Sequence, residues 1–429
     1  MAASTDKAAP ATKRTPLLKI LGPGLITGAS DDDPSGIATY SQAGAQFGYG
    51  LAWTLLFTYP LMAAIQEISA RIGRVTGFGI AGNIRRNYPK WVLQLLVGLV
   101  LLANVINLGA DLGAMGAGVR LLVGGPALVY VAAFGVASVL LEVFMRYSRY
   151  ISVLKWLSLS LLAYAATAFI VGIPWSKVVF YTLIPHITWK ADYFVTVVAV
   201  FGTTICPYLF FWQAESEVED QQEHPGAKPL VQAPDQAPVE IRRIEIDTCF
   251  GMGISNLIAL FIVVTTAATL NIHGITDIKT SADAAEALRP LAGNFAFAVF
   301  AAGIIGTGLL ALPVLAGSAA YALGEARNWP VGLARLWYQA RAFYGTIAVA
   351  TGLGVVMNYL PIDPMKALFW SAVINGVAAV PIMAIMMLIA TQRKIMGSFT
   401  LPTALRLLGW FATAMMALAA LAMAASWLA

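Results

Sequence analysis

The chain has 429 residues, of which 59% are hydrophobic and only 11% charged, with mean hydropathy +0.74. A soluble domain carries roughly 25% charged residues, so a water-facing surface cannot be covered and a soluble enzyme or binding domain is excluded. The net charge of +5 does not mark a nucleic-acid partner, because the basic residues are scattered between apolar runs and form no patch.

In chain order, residues 1–16 are polar and lack the apolar core of a signal peptide. They read as a cytoplasmic tail, and 17–429 as one transmembrane domain. Apolar runs long enough to cross hydrocarbon stand at 17–47, 50–70, 91–119, 126–145, 150–173, 192–214, 246–271, 291–323, 342–360, 367–390 and 401–428. Placing the N-terminus in the cytoplasm puts twenty-one Lys and Arg in inside connections and six outside. The positive-inside rule then predicts an all-α integral membrane protein of 11 spans in the cell membrane, with the C-terminus outside. The stretch 221–245, rich in Pro, Gln and charge, reads as a flexible cytoplasmic loop. His186, His224 and His273 fall in connections on no common element, and Cys206 and Cys249 form no C-x-x-C pair.

Two runs are interrupted. The first contains "GASDDDPSGIATY", with Asp31, Asp32 and Asp33 in a row before Pro34 and Gly36. The sixth contains "FGTTICPY", with Gly202, Thr203 and Pro207 at its midpoint. Proline removes an amide donor and glycine permits non-helical geometry. In lipid such backbone survives only where it lines a cavity or is buried in protein. Breaks at the first position of two five-span halves predict a 5+5 inverted repeat plus one span, with the substrate site where the breaks meet.

An acidic side chain inside a membrane costs roughly 2.5–3.5 kcal/mol on insertion scales and marks a functional site. Consecutive helical residues point about 100° apart, so not all three aspartates reach one site. Asp33, beside the break, is the expected ligand, with Asp31 and Asp32 on a vestibule or a polar neighbour. Asn375, mid-membrane in the tenth run, either completes the coordination or holds the broken helix. Glu67 with Arg71 and Arg74 reads as an interfacial charge cluster or an inner-gate ion pair, and Glu215, Glu217, Glu219 and Asp220 as a solvated acidic face or a metal exit.

These residues resemble the NRAMP family of divalent-metal transporters. The likeness starts at "GPGLITGASDDDPSGIATYSQAGAQFGYG" and returns at "TTICPY", Thr203 to Tyr208. It implies alternating access, a divalent metal ion as substrate, no cofactor, no obligate protein partner and no enzymatic activity. By position it implies Asp33 as the carboxylate ligand, a backbone carbonyl from Thr203, and Cys206 where the family has a methionine thioether. Ser35 and Gly36 stand in the same motif, but Gly36 replaces the family's asparagine ligand, and Tyr208 replaces a histidine. In "ANVINLGADLG", Asn107 and Ala110 stand where proton-coupled members carry acids, with Asp111 offset by one. These departures resemble the magnesium-type branch and imply weak or absent proton coupling. Mg²⁺ prefers oxygen and keeps several waters, whereas a Cys206 thiolate would favour Mn²⁺, Fe²⁺ or softer metals. Two rivals are an amino-acid or organocation transporter of the same fold and an intramembrane aspartyl protease. The acidic run opposes a carboxylate substrate, and the protease's second acidic signature is missing.

Overall fold

The computed structural model describes residues 23–144 and 161–427. Among the described residues every regular element is helical. The tail expected at 1–16 lies outside them. The helices are α1 (Pro23–Asp31), α2 (Pro34–Phe47), α3 (Ala52–Thr76), α4 (Ile80–Asn87), α5 (Lys90–Val123), α6 (Ala127–Phe144), α7 (Leu162–Ile170), α8 (Trp175–Leu183), α9 (Ala191–Thr204) and α10 (Pro207–Glu223). They continue with α11 (Ala237–Thr269), α12 (Ser281–Glu286), α13 (Ala296–Arg327), α14 (Arg341–Met357), α15 (Pro364–Thr391) and α16 (Thr403–Ser426).

Eight helical stretches among the described residues are long and apolar enough to cross a bilayer, and α14 is a shorter apolar helix. One of the eight, Pro34–Thr76, runs two expected spans together through a 3₁₀ turn at Gly48–Leu51. The expected span 150–173 begins outside the described residues and continues as α7. Burial is inverted relative to a soluble protein: Leu102, Val129, Phe169, Leu353, Phe411 and Leu421 are exposed, while Asp31, Asp33, Asn107, Asp111 and Thr203 are buried. An apolar solvent produces this pattern, because polar groups must then find their partners inside.

Both breaks are made alike. α1 stops at Asp31 and α2 starts at Pro34; α9 stops at Thr204 and α10 starts at Pro207. Each proline takes the first helical position, where its missing amide hydrogen costs nothing. Each forces the residue before it into extended backbone, Asp33 at φ −69°, ψ 172° and Cys206 at φ −82°, ψ 133°. Proline alone does not decide the matter, since Pro60, Pro313 and Pro381 sit inside unbroken helices. At the first break the Ser30 carbonyl accepts from the Tyr208 hydroxyl at 3.2 Å, and at the second the Gly202 and Thr203 carbonyls accept from the Cys206 thiol.

α1 lies along α11, and α9 along α15. Gly28 meets the Gly251 backbone, and Gly202 meets Ala372 and Gly376, so closely that neither site has room for a Cβ; small residues permit such helix approach in lipid. The long α5 packs on α13, α14 and α15, carrying Asn107 and Asp111 into the centre.

At one end the helices outrun the apolar stretches. α10 continues to Glu223 and α11 starts at Ala237, so the connection read as 221–245 narrows to 224–236. Leu230 within it is buried and its amide donates to the Arg74 carbonyl at 3.2 Å. The polar first turns of α11 are held by Arg243 on Glu240 (2.9 Å) and on Glu217, and by Arg74 on Glu240 (3.1 Å) and Asp220 (3.3 Å). The solvated acidic face expected at the end of the sixth run is therefore corrected: Glu215 and Glu217 are buried, Glu217 paired with Arg243 and Glu215 set against Glu325 where α10 packs on α13.

Candidate metal site

The two breaks touch. A Cβ added at Gly36 would stand 3.4 Å from Thr203 Oγ1 on the opposite break and 3.3 Å from the Asp31 carbonyl oxygen. Tyr208, one residue past the second proline, donates to Asp33 Oδ2 at 3.1 Å. Tyr40 and Thr204 pair their hydroxyls across the same seam at 3.1 Å.

Asp33 caps α2 and is buried. Its Oδ1 accepts from the Gly36 amide (2.8 Å) and the Ser35 hydroxyl (2.6 Å). Its Oδ2 accepts from Asn107 Nδ2 (3.0 Å) and from Tyr208. Four donors suit an acceptor-only carboxylate and fix its orientation. Asn107 also donates to Asp111 Oδ2 (3.2 Å), and its Oδ1 accepts from Asn375 Nδ2 at 3.3 Å. The sequence-named residues Asn107, Asp111 and Asn375 thus form one chain ending on Asp33. Asp31 and Asp32 turn elsewhere, onto Ser255 of α11 at 2.7 and 3.2 Å.

Cys206 is buried, and its thiol lies 2.7 Å from the Thr203 carbonyl and 3.0 Å from that of Gly202. A thiol donating to a carbonyl keeps its proton and is a poor metal ligand. It also covers the Thr203 carbonyl expected as a ligand, so the oxygen that Thr203 leaves uncommitted is its hydroxyl.

The pattern of unmet hydrogen bonds is one-sided. Asp31 Oδ1, Asp111 Oδ1, Thr203 Oγ1 and Asn375 Oδ1 are buried without a partner. Native interiors pair nearly all such atoms, so each exception asks for an explanation. All four are oxygens, three of them acceptors only and the fourth, Thr203 Oγ1, a hydroxyl able to accept, and none of the ion pairs among the described residues reaches Asp31, Asp32, Asp33 or Asp111. The C-terminal ends of α1 and α9 add partial negative charge, while the N-terminus of α2 faces Asp33. Among the described residues no three His, Cys, Asp or Glu side chains converge as a metal cluster. The arrangement is lined by oxygens and carries several carboxylates, and the charge that would complement it is positive.

A cavity of about 390 Å³ opens at the α2 C-terminus, lined by Gln42, Gln46, Asp192, Thr196, Asp277 and Trp370 among others. Ala38, on the helix that starts at the first break, also lines it. At the opposite end, Thr27 of α1 is tied to Gln213 of α10, and the Gly24 amide donates to Asp247 at 2.7 Å. Glu67 and Arg71 form the ion pair expected from the sequence, whereas Arg74 leaves them for Asp220 and Glu240. Sequence reasoning missed Ser255, Thr27 and Gln213; each is a lone polar residue in an apolar run, a weak signal.

A helical membrane protein whose site lies between two opposed helix breaks has the architecture of a secondary transporter. The profile of the Nramp family, "Natural resistance-associated macrophage protein-like", matches residues 24–426, and the chain belongs to this family of membrane metal-ion transporters, not enzymes. It is 26% identical over 389 residues to the divalent metal cation transporter MntH of Caldanaerobacter subterraneus subsp. tengcongensis, covering 89% of this chain and 87% of the relative. MntH of Yersinia enterocolitica is 28% identical over 308 residues, 70% of this chain and 71% of its own. The fold is shared with the manganese transporter of Eremococcus coleocola, at TM-score 0.73 and 15% identity over 94% of this chain and 86% of that one. It is shared more loosely with Mhp1, a nucleobase-cation-symport-1 family transporter, at TM-score 0.55 and 13% identity over 95% and 92%.

Proposed function

We propose that this chain carries divalent metal cations across the cell membrane by alternating access around Asp33, with Mg²⁺ as the favoured cargo over Mn²⁺ and Fe²⁺. The observation that carries the reading is the ring of unpartnered buried oxygens at the crossing of the two breaks. An anionic substrate would meet the carboxylates of Asp31, Asp33 and Asp111 there, while the donors at Asp33 are already committed to it. Asp33 is the central carboxylate, with the backbone at Gly36 beside it and Thr203 on the opposing wall; Ser35, Asn107 and Tyr208 orient it, and Asp111 and Asn375 act through Asn107. Cys206 acts through its thiol proton on the α9 carbonyls, and this favours oxygen ligation and a partly hydrated ion.

The same reading takes the chain as 11 spans in a 5+5 inverted repeat plus one, with the N-terminus cytoplasmic and the C-terminus outside. The cavity beside Gln42 is then the outer access route, and the Arg74 and Thr27 contacts close the inner side. Coupling to protons is weak or absent.

The test is uptake into proteoliposomes with Mg²⁺, Mn²⁺ and Fe²⁺ in competition and a pH-sensitive dye inside. Mg²⁺ uptake that Mn²⁺ competes with poorly and that leaves the lumen pH unchanged is expected. Amino-acid uptake without metal uptake would overturn the reading, and lumen acidification with metal uptake would overturn the coupling.

A further inference from the structure

The first break holds more buried negative charge than the Asp33 site uses. Asp33 is satisfied by four donors, and Asp111 shares Asn107 with it. Among the described residues Asp31 and Asp32, 0% and 3% exposed, have one side-chain partner between them, the Ser255 hydroxyl at 2.7 Å from Asp31 Oδ2 and 3.2 Å from Asp32 Oδ1. A hydroxyl owns one hydrogen, so it serves one carboxylate at a time, and the shorter contact gives it to Asp31. Asp31 Oδ1 is then left buried with no partner at all. Two desolvated carboxylates with a single donor hydrogen are strongly unfavourable unless positive charge is added. The pair also sits at the C-terminal end of α1, where the negative end of the helix dipole favours a cation.

We infer that Asp31, Asp32 and Ser255 form a second cation site, separate from the Asp33 site, that takes a hard divalent ion of the Mg²⁺ class. Every donor is oxygen, and two carboxylates balance one divalent charge; Mg²⁺ is commonly held by one or two carboxylates with water completing its shell. The inference rests on the reading of the cargo as a cation. The two sites approach from different helices: Ser255 lies on α11, whereas the partners of Asp33 come from α5 and α10. An ion at each break residue pair would place two like charges close together, so occupancy of one site weakens the other and eases release.

Equilibrium dialysis of the purified full-length protein against Mg²⁺, with bound metal counted by elemental analysis, is expected to give two ions per chain. Asp31→Asn with Asp32→Asn should give one, Asp33→Asn should give one, and Ser255→Ala should keep two while weakening one about tenfold, as loss of an outer partner does. Retention of Mg²⁺-dependent thermal stabilisation in the double variant shows that it is folded and that its remaining site is intact. A wild-type count of one, or a double variant that still binds two, overturns the second site. A wild-type count of zero instead overturns the cation reading of the whole cradle. Should the double variant not fold, Ser255→Ala decides: two unchanged affinities overturn the proposal, and one weakened affinity supports it.

Discussion

The two helix breaks are built to one plan and furnished differently. Each has two non-helical residues, an extended residue before proline, and proline at the first helical position. The first break carries three aspartates, whereas the second offers Thr203, Cys206 and Tyr208, all neutral. On the proposed function, one break supplies the charge that attracts the ion, and the other supplies Tyr208, one of the donors that position Asp33, and the Thr203 hydroxyl on the facing wall. Such a division suits alternating access, because a neutral wall can move past a bound cation without dragging a second charge through low dielectric.

That contrast can be broken most severely at Asp33. Asp33→Ala is expected to reduce Mg²⁺ uptake in proteoliposomes by more than about 100-fold, beyond the loss typical of an outer partner. Wild-type rates would show that the charged break does not hold the ion. Asn107→Ala removes the amide that holds Asp33 and Asp111 together, and a fall in apparent Mg²⁺ affinity of about 10-fold is expected from concentration-dependent uptake. Gly36→Asn puts an amide beside Thr203, and should shift the Mn²⁺ to Mg²⁺ uptake ratio toward Mn²⁺ by about 3- to 10-fold; an unchanged ratio would show that position 36 does not face the ion. The smallest effect is assigned to the neutral break. Cys206→Ser keeps a donor to the α9 carbonyls and, on the proposed oxygen ligation, should change Mg²⁺ uptake by less than about 2-fold. Loss of Mn²⁺ uptake in this variant would make the sulfur a ligand after all.

Much of the site was legible before any fold was known, because charge and proline inside hydrocarbon are expensive and so conspicuous. Asp33, Pro34, Gly36 and Pro207 announce themselves in this way. Asn107, Asp111 and Asn375 were visible as polar residues in apolar runs, yet nothing in their spacing showed that they form one chain onto Asp33. The expected Thr203 carbonyl was legible only as a position; that Cys206 covers it depends on the turn between α9 and α10. Glu215 and Glu217 misled for the opposite reason. An acidic run at the end of a span resembles a solvated face until Arg243 reaches Glu217 and α13 packs over Glu215.

Composition and the spacing of apolar runs by themselves determined that the chain crosses a membrane as helices and that the first and sixth runs are interrupted, since these follow from local cost: hydrocarbon rejects charge, and proline rejects a continuous helix. Tertiary structure alone decided that the two interruptions meet and that Asp33 takes its donors from α5 and α10. It also turned Asp31 and Asp32 to Ser255. Those choices are made by contacts between residues far apart in sequence, 74 positions for Asn107 on Asp33, 175 for Tyr208 on Asp33 and 224 for Ser255 on Asp31. No local preference encodes such pairs; they exist only once helix packing has brought their backbones together.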